Sequence, residues 1–444
     1  MKPYPISRRH LLRHTLSTLV LSQLGSLKLL TQGEFIERAY AQSQDPHRFL
    51  HIFLRGGWDS ALAVDPVLGD KQKSGAYEPA YLKEEVRTVP GKDRLYVGSG
   101  LLPALSAFAA LPTAFINGLY VDVTAHPLAE QYALSARMSL SRSREYPALA
   151  ALMGASSAVF PAHLVLGGRI PLGETAVRTP PLGSNDIEGM RGMMAEPGVD
   201  ADWNPPQREL LRGLLQDYNQ LESRLASPLR QPAMEDWIRL QSSLDGIYDR
   251  RLDQVLVADS AQQEAYGAAN SGDNAGLMLG ALQLLRTGLS PYVTVLLKGF
   301  DTHNQELNSQ KPRQLDFARA LAALVQDLRQ TPDPARPDRS LADTTTLLIG
   351  SEFVRTPRFN GADGTDHWKS ASAILMGKGV RDNVIIGQTN AKAEAMGWEN
   401  QKPVPRTDLN ALTHEAIAGA ILLRMGLPDA QSTLGKEAVH GLFS

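Results

Sequence analysis

The chain has 444 residues, 43% of them hydrophobic and 21% charged, which is ample length to bury a large core. A formal net charge of -2 and a pI near 6.6 leave no basic stripe of the kind a phosphate backbone needs, which argues against nucleic acid as a partner. Cysteine is absent, so disulfides, thiolate metal sites and cysteine nucleophiles are excluded together, and any metal must take nitrogen and oxygen ligands.

The chain opens on ISRRHLLRHTLSTLVLSQLGSLKLL, with Arg8 and Arg9 after a serine and a modestly apolar stretch behind them. This is a twin-arginine export pattern, and AYAQ offers a small-x-small cleavage site that starts the mature chain near Gln42. The expected organisation is a signal peptide over 1–41 and one domain over 42–444, exported to the periplasm through the twin-arginine translocase. The polar residues Gly33, Glu34, Glu37 and Arg38 before the cut leave a cytoplasmic amphipathic helix as the plain alternative. The apolar stretch is too short and broken for a stable membrane span.

HRFLHIFL then reads as a buried strand that stops at a Gly-Gly pair. FINGLYV, HLVLGG, YVTVLLKG, TTTLLIG, SAILMG and NVIIG follow as further strands, most of them continuous apolar runs, the pattern of strands covered on both faces. LLPALSAFAAL, QLDFARALAALVQDLRQ and LTHEAIAGAILLRMGL lie between them with helical spacing. The alternation predicts an α/β fold with a mostly parallel sheet covered by helices on both faces. Residues 204–266 have helical periodicity, many charges and no strand, and read as a helical insertion; QTPDPARPDRS reads as a proline-rich surface loop.

Ligands of open α/β sheets gather beyond the carboxyl ends of the strands, so the residues just after each apolar run carry the functional reading. These are Asp59 after HIFL, Asp301 and His303 after YVTVLLKG, and Glu352, Arg355, Asp366 and His367 after TTTLLIG. Mixed carboxylate and imidazole at three strand ends suit a divalent cation (zinc, calcium, magnesium or manganese). Each element also has a plain reading. Asp59 can cap the segment at Leu62, Asp301 can make an Asx turn, Glu352 can pair with Arg355 at the surface, and Asp366-His367 can cap the next segment.

FLRGGWDSAL, KGFDTHNQ and SEFVRTPRFNGADGTDHW resemble, in order and spacing, three blocks of the domain of unknown function 1501 family, twin-arginine-exported proteins of the alkaline phosphatase and sulfatase superfamily. The resemblance implies an alkaline-phosphatase-like core with metal ligands at strand ends. It assigns Asp59, Asp301, His303, Glu352, Asp366 and His367 to metal. Where the superfamily places a nucleophile, this chain has Ser60, which is either that nucleophile or a chance small residue. Val354 replaces the family's usual glycine. His126 lies where the family often has a Ser-His element and could reach the site, or it could simply start a helix. His414 reads as a core residue, while Arg55 could hold an anion or pair with a nearby acid.

The leading expectation is an exported metal-dependent hydrolase of a phosphate or sulfate ester, with Arg355 holding the anion. Its rival is a non-catalytic protein that keeps the fold and a structural cation and binds an envelope glycan or partner protein. Dinucleotide redox chemistry is disfavoured because no G-x-G-x-x-G opens a helix after the first strand.

Overall fold

In the computed structural model, RFLHIFL forms strand β1 (Arg48–Leu54), and every one of its seven residues is buried. The structure describes residues 47–72, 75–137, 149–154, 163–170, 182–194, 213, 258–426, 434 and 437–444. The segment 1–41, expected to direct export, lies outside the described residues, as does most of the expected insertion at 204–266, of which the helix Ser260–Tyr266 is seen.

β1 belongs to an eight-stranded sheet with β2 (Thr113–Tyr120), β3 (His163–Leu166), β4 (Leu182–Ser184), β5 (Tyr292–Leu297), β6 (Thr345–Gly350), β7 (Ser370–Gly377) and β8 (Val384–Ile386). Their spatial order is β8-β2-β7-β6-β1-β5-β3-β4. β7 runs antiparallel to both of its neighbours, and all the other pairs are parallel. This is the mostly parallel α/β sheet expected from the sequence; the reversal of SAILMG leaves no mark on its composition.

Alternation along β1 divides the core. Leu50, Ile52 and Leu54 face a cluster shared with helices over Asn274–Thr287 and Glu306–Gln330, while Phe49 faces a cluster shared with helices over His126–Ser135, Leu149–Gly154 and His414–Arg424. Helices therefore cover both faces, which is why the strands read as unbroken apolar runs. Each fully buried Leu or Phe contributes roughly 1.5–3 kcal/mol through lost apolar hydration. No described helix is long and apolar enough to cross a membrane.

QTPDPARPDRS departs from its reading as a surface loop. Pro332–Asp333 and Arg336–Ser340 pair as a short antiparallel ribbon, and Asp333 is fully buried. The reason is an ion pair that the local sequence does not reveal. Arg48 at the start of β1 donates from Nε to Asp333 Oδ2 at 2.7 Å and from Nη2 to Oδ1 at 2.8 Å. Burial works against the charge on Asp333, but the Arg48 bonds outweigh it and keep the carboxyl below its ordinary range.

Removing one partner of a buried pair strands the other charge, so Asp333→Ala is expected to lose about 3–5 kcal/mol in urea denaturation. The apolar double variant Arg48→Met/Asp333→Leu should recover most of that loss; a surface-like effect below about 1 kcal/mol for Asp333→Ala would contradict the burial argument.

A candidate metal centre of three histidines and one aspartate

Four chain segments meet beyond the carboxyl ends of β1, β2, β5 and β6. The turn after β1 contains Gly56 at φ 116°, and a side chain there would stand 2.2 Å from the Asp301 amide nitrogen. Only glycine lets the β1 turn and the Phe300-Asp301 backbone approach so closely. Gly364 does the same for the long loop after β6, since a Cβ there would meet the His303 carbonyl at 2.0 Å. The ends of that loop pair with each other, Arg355 opposite His367 and Val354 opposite Trp368. Val354, where the family pattern has glycine, is buried and keeps a negative φ, so the substitution introduces no backbone strain.

Asp301 is the hub of this junction. Its Oδ1 lies 3.2 Å from His126 Nε2, 3.0 Å from His303 Nε2 and 3.3 Å from His367 Nε2. His126, Asp301 and His367 offer ligand atoms within 4.8 Å of one another, the one such group among the described residues. Each imidazole is anchored through its other nitrogen. His126 Nδ1 meets Glu352 Oε1 at 2.8 Å, His303 Nδ1 meets Asp366 Oδ1 at 3.2 Å, and His367 Nδ1 meets the Thr124 carbonyl at 2.7 Å. A carbonyl or carboxylate can only accept, so the proton of each neutral ring sits on Nδ1 and the Nε2 lone pair points at Asp301.

Three lone pairs facing one anionic oxygen repel unless a cation or protons lie among them. His126 Nε2 is buried without a hydrogen-bond partner, and burial followed by the neighbouring His126 charge lowers the His367 pKa, favouring its neutral form. A divalent cation would satisfy both groups at once. The compact set of the His126 and His367 imidazoles with the Asp301 carboxylate, each imidazole backed by an acceptor, fits a zinc-type ion, and His303 stands beside Asp301 at 3.0 Å as a further donor outside that compact set. The Glu352 bond, acting against partial burial, raises the His126 pKa.

Arg355 holds Asp301 in place. Its side chain is fully buried; Nε donates to the Gly57 carbonyl at 2.8 Å, and Nη2 donates to the Phe300 carbonyl at 2.9 Å, to Gly56 O and to Asp301 Oδ1 at 2.8 Å. Nη1 is directed at the Thr302 and Thr365 carbonyls. Partial burial opposes the Asp301 charge, yet the Arg355 bond and the neighbouring His126 hold it well below the usual carboxylate range. The role expected for Arg355, holding a substrate anion, does not match these contacts: its donors are already engaged by the protein. Arg55 is engaged too, donating from Nε to Glu130 Oε1 at 2.8 Å.

The expected ligands thus separate into groups. Asp301, His303 and His367 come together. Glu352 and Asp366 sit one layer out, behind His126 and His303, and Glu352 is further fixed by the Gly56 amide at 2.8 Å and the Ser351 hydroxyl at 2.9 Å. Asp59 is elsewhere: its Oδ1 accepts from the Ala61 amide at 2.9 Å and its Oδ2 from the Tyr81 hydroxyl at 2.6 Å. No hydrogen bond or ion pair among the described residues joins Asp59 or Ser60 to the histidines. Burial and then the charge of buried Glu306 push the Asp59 carboxyl up from 3.8 to about 7, against the Tyr81 bond. His414, expected in the core, is half-buried at its edge, and desolvation lowers it to about 4. His126 enters the centre on equal terms with the others, and its sequence signal was a histidine six residues beyond the end of β2, in VTAHP.

A family model described as a protein of unknown function (DUF1501) matches residues 46–418. The chain belongs to this family. The match places all four residues of the centre inside the DUF1501 region. No curated protein matches the chain. Among solved structures, an alkaline phosphatase superfamily protein from Vibrio parahaemolyticus is 10% identical, with 88% of this chain and 74% of that chain covered and a TM-score of 0.35. A 2-O GAG sulfatase is 9% identical, with 90% and 76% covered and a TM-score of 0.37. The alkaline phosphatase of the Antarctic bacterium TAB5 is 9% identical, with 77% and 95% covered and a TM-score of 0.30.

Two outcomes test the geometry of this DUF1501 protein. Titration of the chelated protein with zinc should show stoichiometric binding that His126→Ala and His367→Ala abolish, whereas Glu352→Gln weakens it by roughly 10–100-fold; full metal retention in His367→Ala would refute the centre. The raised Asp59 pKa means the fold keeps that proton longer than the unfolded chain does. Its contribution to stability is therefore complete below about pH 4 and is lost as pH rises toward about 7. Asp59→Asn keeps the shape without the titration, so urea midpoints should lose that decline; an unchanged pH profile would contradict a protonated Asp59.

Proposed function

We propose that this protein is an exported, metal-dependent hydrolase acting on a phosphate or sulfate ester, with one divalent cation held by His126, His303, His367 and Asp301. The observation that carries the reading is the convergence of three Nδ1-anchored imidazoles on one Asp301 oxygen. When bound, such a cation supplies Lewis acidity toward an ester oxygen and lowers the pKa of a bound water. Imidazole-rich ligation favours zinc over calcium or magnesium, which prefer all-oxygen sites.

The chain's own residues supply orientation and access. Glu352, Asp366 and the Thr124 carbonyl fix the tautomer and tilt of the rings, and Arg355 keeps Asp301 ionised. Asp301 and His303 are nearly half exposed, at 46% and 42% of their side chains, so a substrate can approach from that side. The superfamily resemblance of the sequence blocks supports ester chemistry. The twin-arginine pattern at Arg8 and Arg9 supports export of the folded chain, with 42–444 as one mature unit.

A second reading is a binding protein that retains a structural cation for an envelope glycan or partner protein. The engagement of Arg355 by carbonyls and of Arg55 by Glu130 favours it, because both guanidinium groups already serve protein partners, and no hydrogen bond joins Ser60 to the centre among the described residues.

Turnover of aryl phosphate and aryl sulfate esters by the zinc-loaded chain decides between them. The hydrolase reading expects kcat/KM to fall at least about 100-fold in Asp301→Ala and His367→Ala, with Ser60→Ala near wild type because the centre lacks that hydroxyl. Stoichiometric metal with no turnover of either ester would support the binding protein instead. Replacing Arg8 and Arg9 together by lysine should leave the precursor in the cytoplasm on fractionation; unimpaired export would reject the twin-arginine route.

A further inference from the structure

We propose that a groove along the edge strand β8 is a second binding site, for a singly charged acidic saccharide. It is an open groove of about 430 Å³. Its floor is the apolar β8 segment, with Val384 and Ile386 buried. Arg94, Tyr96 and Asp93 line it from the strand Lys92–Val97, and Arg381, Trp398 and Gln401 line it from the other side. The groove is separate from the metal centre. β8 lies four strands from β1 in the sheet, on the order of 19 Å at ordinary strand spacing, and Arg381 precedes β8 at its amino end, whereas the metal centre sits beyond the carboxyl ends.

The composition of the walls sets the ligand class. Arg94 and Arg381 are exposed, and neither guanidinium has an ion-pair partner among the described residues, unlike Arg48, Arg55 and Arg355. Two unengaged guanidinium groups around one groove suit a carboxylate or sulfate, which they bind in charge-assisted pairs. Trp398 is half-buried with part of its surface packed on the core, and Tyr96 is half-buried, so both rings are held in place as apolar surfaces for a sugar face. Gly441, at φ 90°, lies beside the Arg381 Nη1 and Gln401 Oε1 atoms. Asp93, whose Oδ1 is held by Asn383 Nδ2 at 2.7 Å, and Gln401 offer acceptors for hydroxyl groups. The Asp93 charge also disfavours a doubly charged phosphate, which selects a sugar acid over a nucleotide.

The test is a calorimetric and tryptophan-fluorescence titration of the full mature chain with a hexuronate disaccharide, its neutral counterpart cellobiose, inorganic sulfate and uridine monophosphate. The expected result is saturable binding of the hexuronate, weakened about 10-fold or more by Arg94→Ala and by Arg381→Ala, with cellobiose and free sulfate much weaker. Trp398→Phe should remove the fluorescence change while calorimetry still reports binding. His367→Ala should bind as wild type does, which separates this groove from the metal centre and from the hydrolase reading. Equal binding by the Arg94→Ala/Arg381→Ala double variant, no saturable binding by wild type, tighter binding of the nucleotide, or loss of binding in His367→Ala would each overturn the proposal. The arginines are exposed, so circular dichroism of their variants should match wild type.

Discussion

The ion pair between buried Arg355 and half-exposed Asp301 organises the carboxyl end of the sheet. A guanidinium in a low-dielectric setting needs every donor engaged, and here carbonyls from the turns after β1 and β5 and from the long loop after β6 surround it. Those loops belong to different parts of the chain, and the charge at their centre gives them one shared position. Asp301 is the anion that completes the arrangement, and its remaining surface faces the histidines. The same contact therefore orders the loops and fixes the ionised ligand of the candidate centre.

Around that pair the polar residues form two layers. The inner layer is Asp301 with the Nε2 atoms of His126, His303 and His367; the outer layer is Glu352, Asp366 and the Thr124 carbonyl, each holding one ring by Nδ1. Glu352 carries most of the outer layer, since it also takes the Gly56 amide and the Ser351 hydroxyl. Such backing is what a metal-binding imidazole requires to keep one tautomer and one orientation. A separate buried carboxylate pair, Asp59 and Glu306, lies outside these contacts. Its electrostatics differ in kind, because Asp59 is driven toward its protonated form by burial while Asp301 is driven toward its charge by Arg355.

Much of the fold could be read along the chain. Every strand expected from residue 47 onward is present within a residue or two of its apolar run, because a strand buried on both faces must be apolar throughout, whatever its neighbours. The helices Glu306–Gln330 and His414–Arg424 were legible for a similar reason, their periodicity reporting a buried stripe, although the first begins eight residues before the run QLDFARALAALVQDLRQ that signalled it. The ribbon around Asp333 was not. Its proline and charge content marked a surface loop, and burial of that acid is made tolerable chiefly by Arg48, 285 positions away, with the Thr344 hydroxyl and the Ala335 amide also donating to it. The site divided in the same way. Strand ends and acid-histidine pairs pointed to Asp301, His303 and His367, yet nothing local distinguishes an inner ligand from an outer one.

The sequence by itself determined the class of fold, the absence of thiol chemistry, the strand ends where polar residues gather, and the glycines that let those ends approach. Local composition suffices for each, since burial, backbone freedom and residue chemistry are properties of short segments. Only the tertiary structure decided that Glu352 and Asp366 stand behind histidines, that Asp59 turns away to Tyr81, that Arg355 is enclosed by carbonyls, and that His126 joins the centre. Those assignments depend on which segments share a few cubic ångströms and on how their charges balance there, and such distances arise only when the sheet brings remote strand ends together.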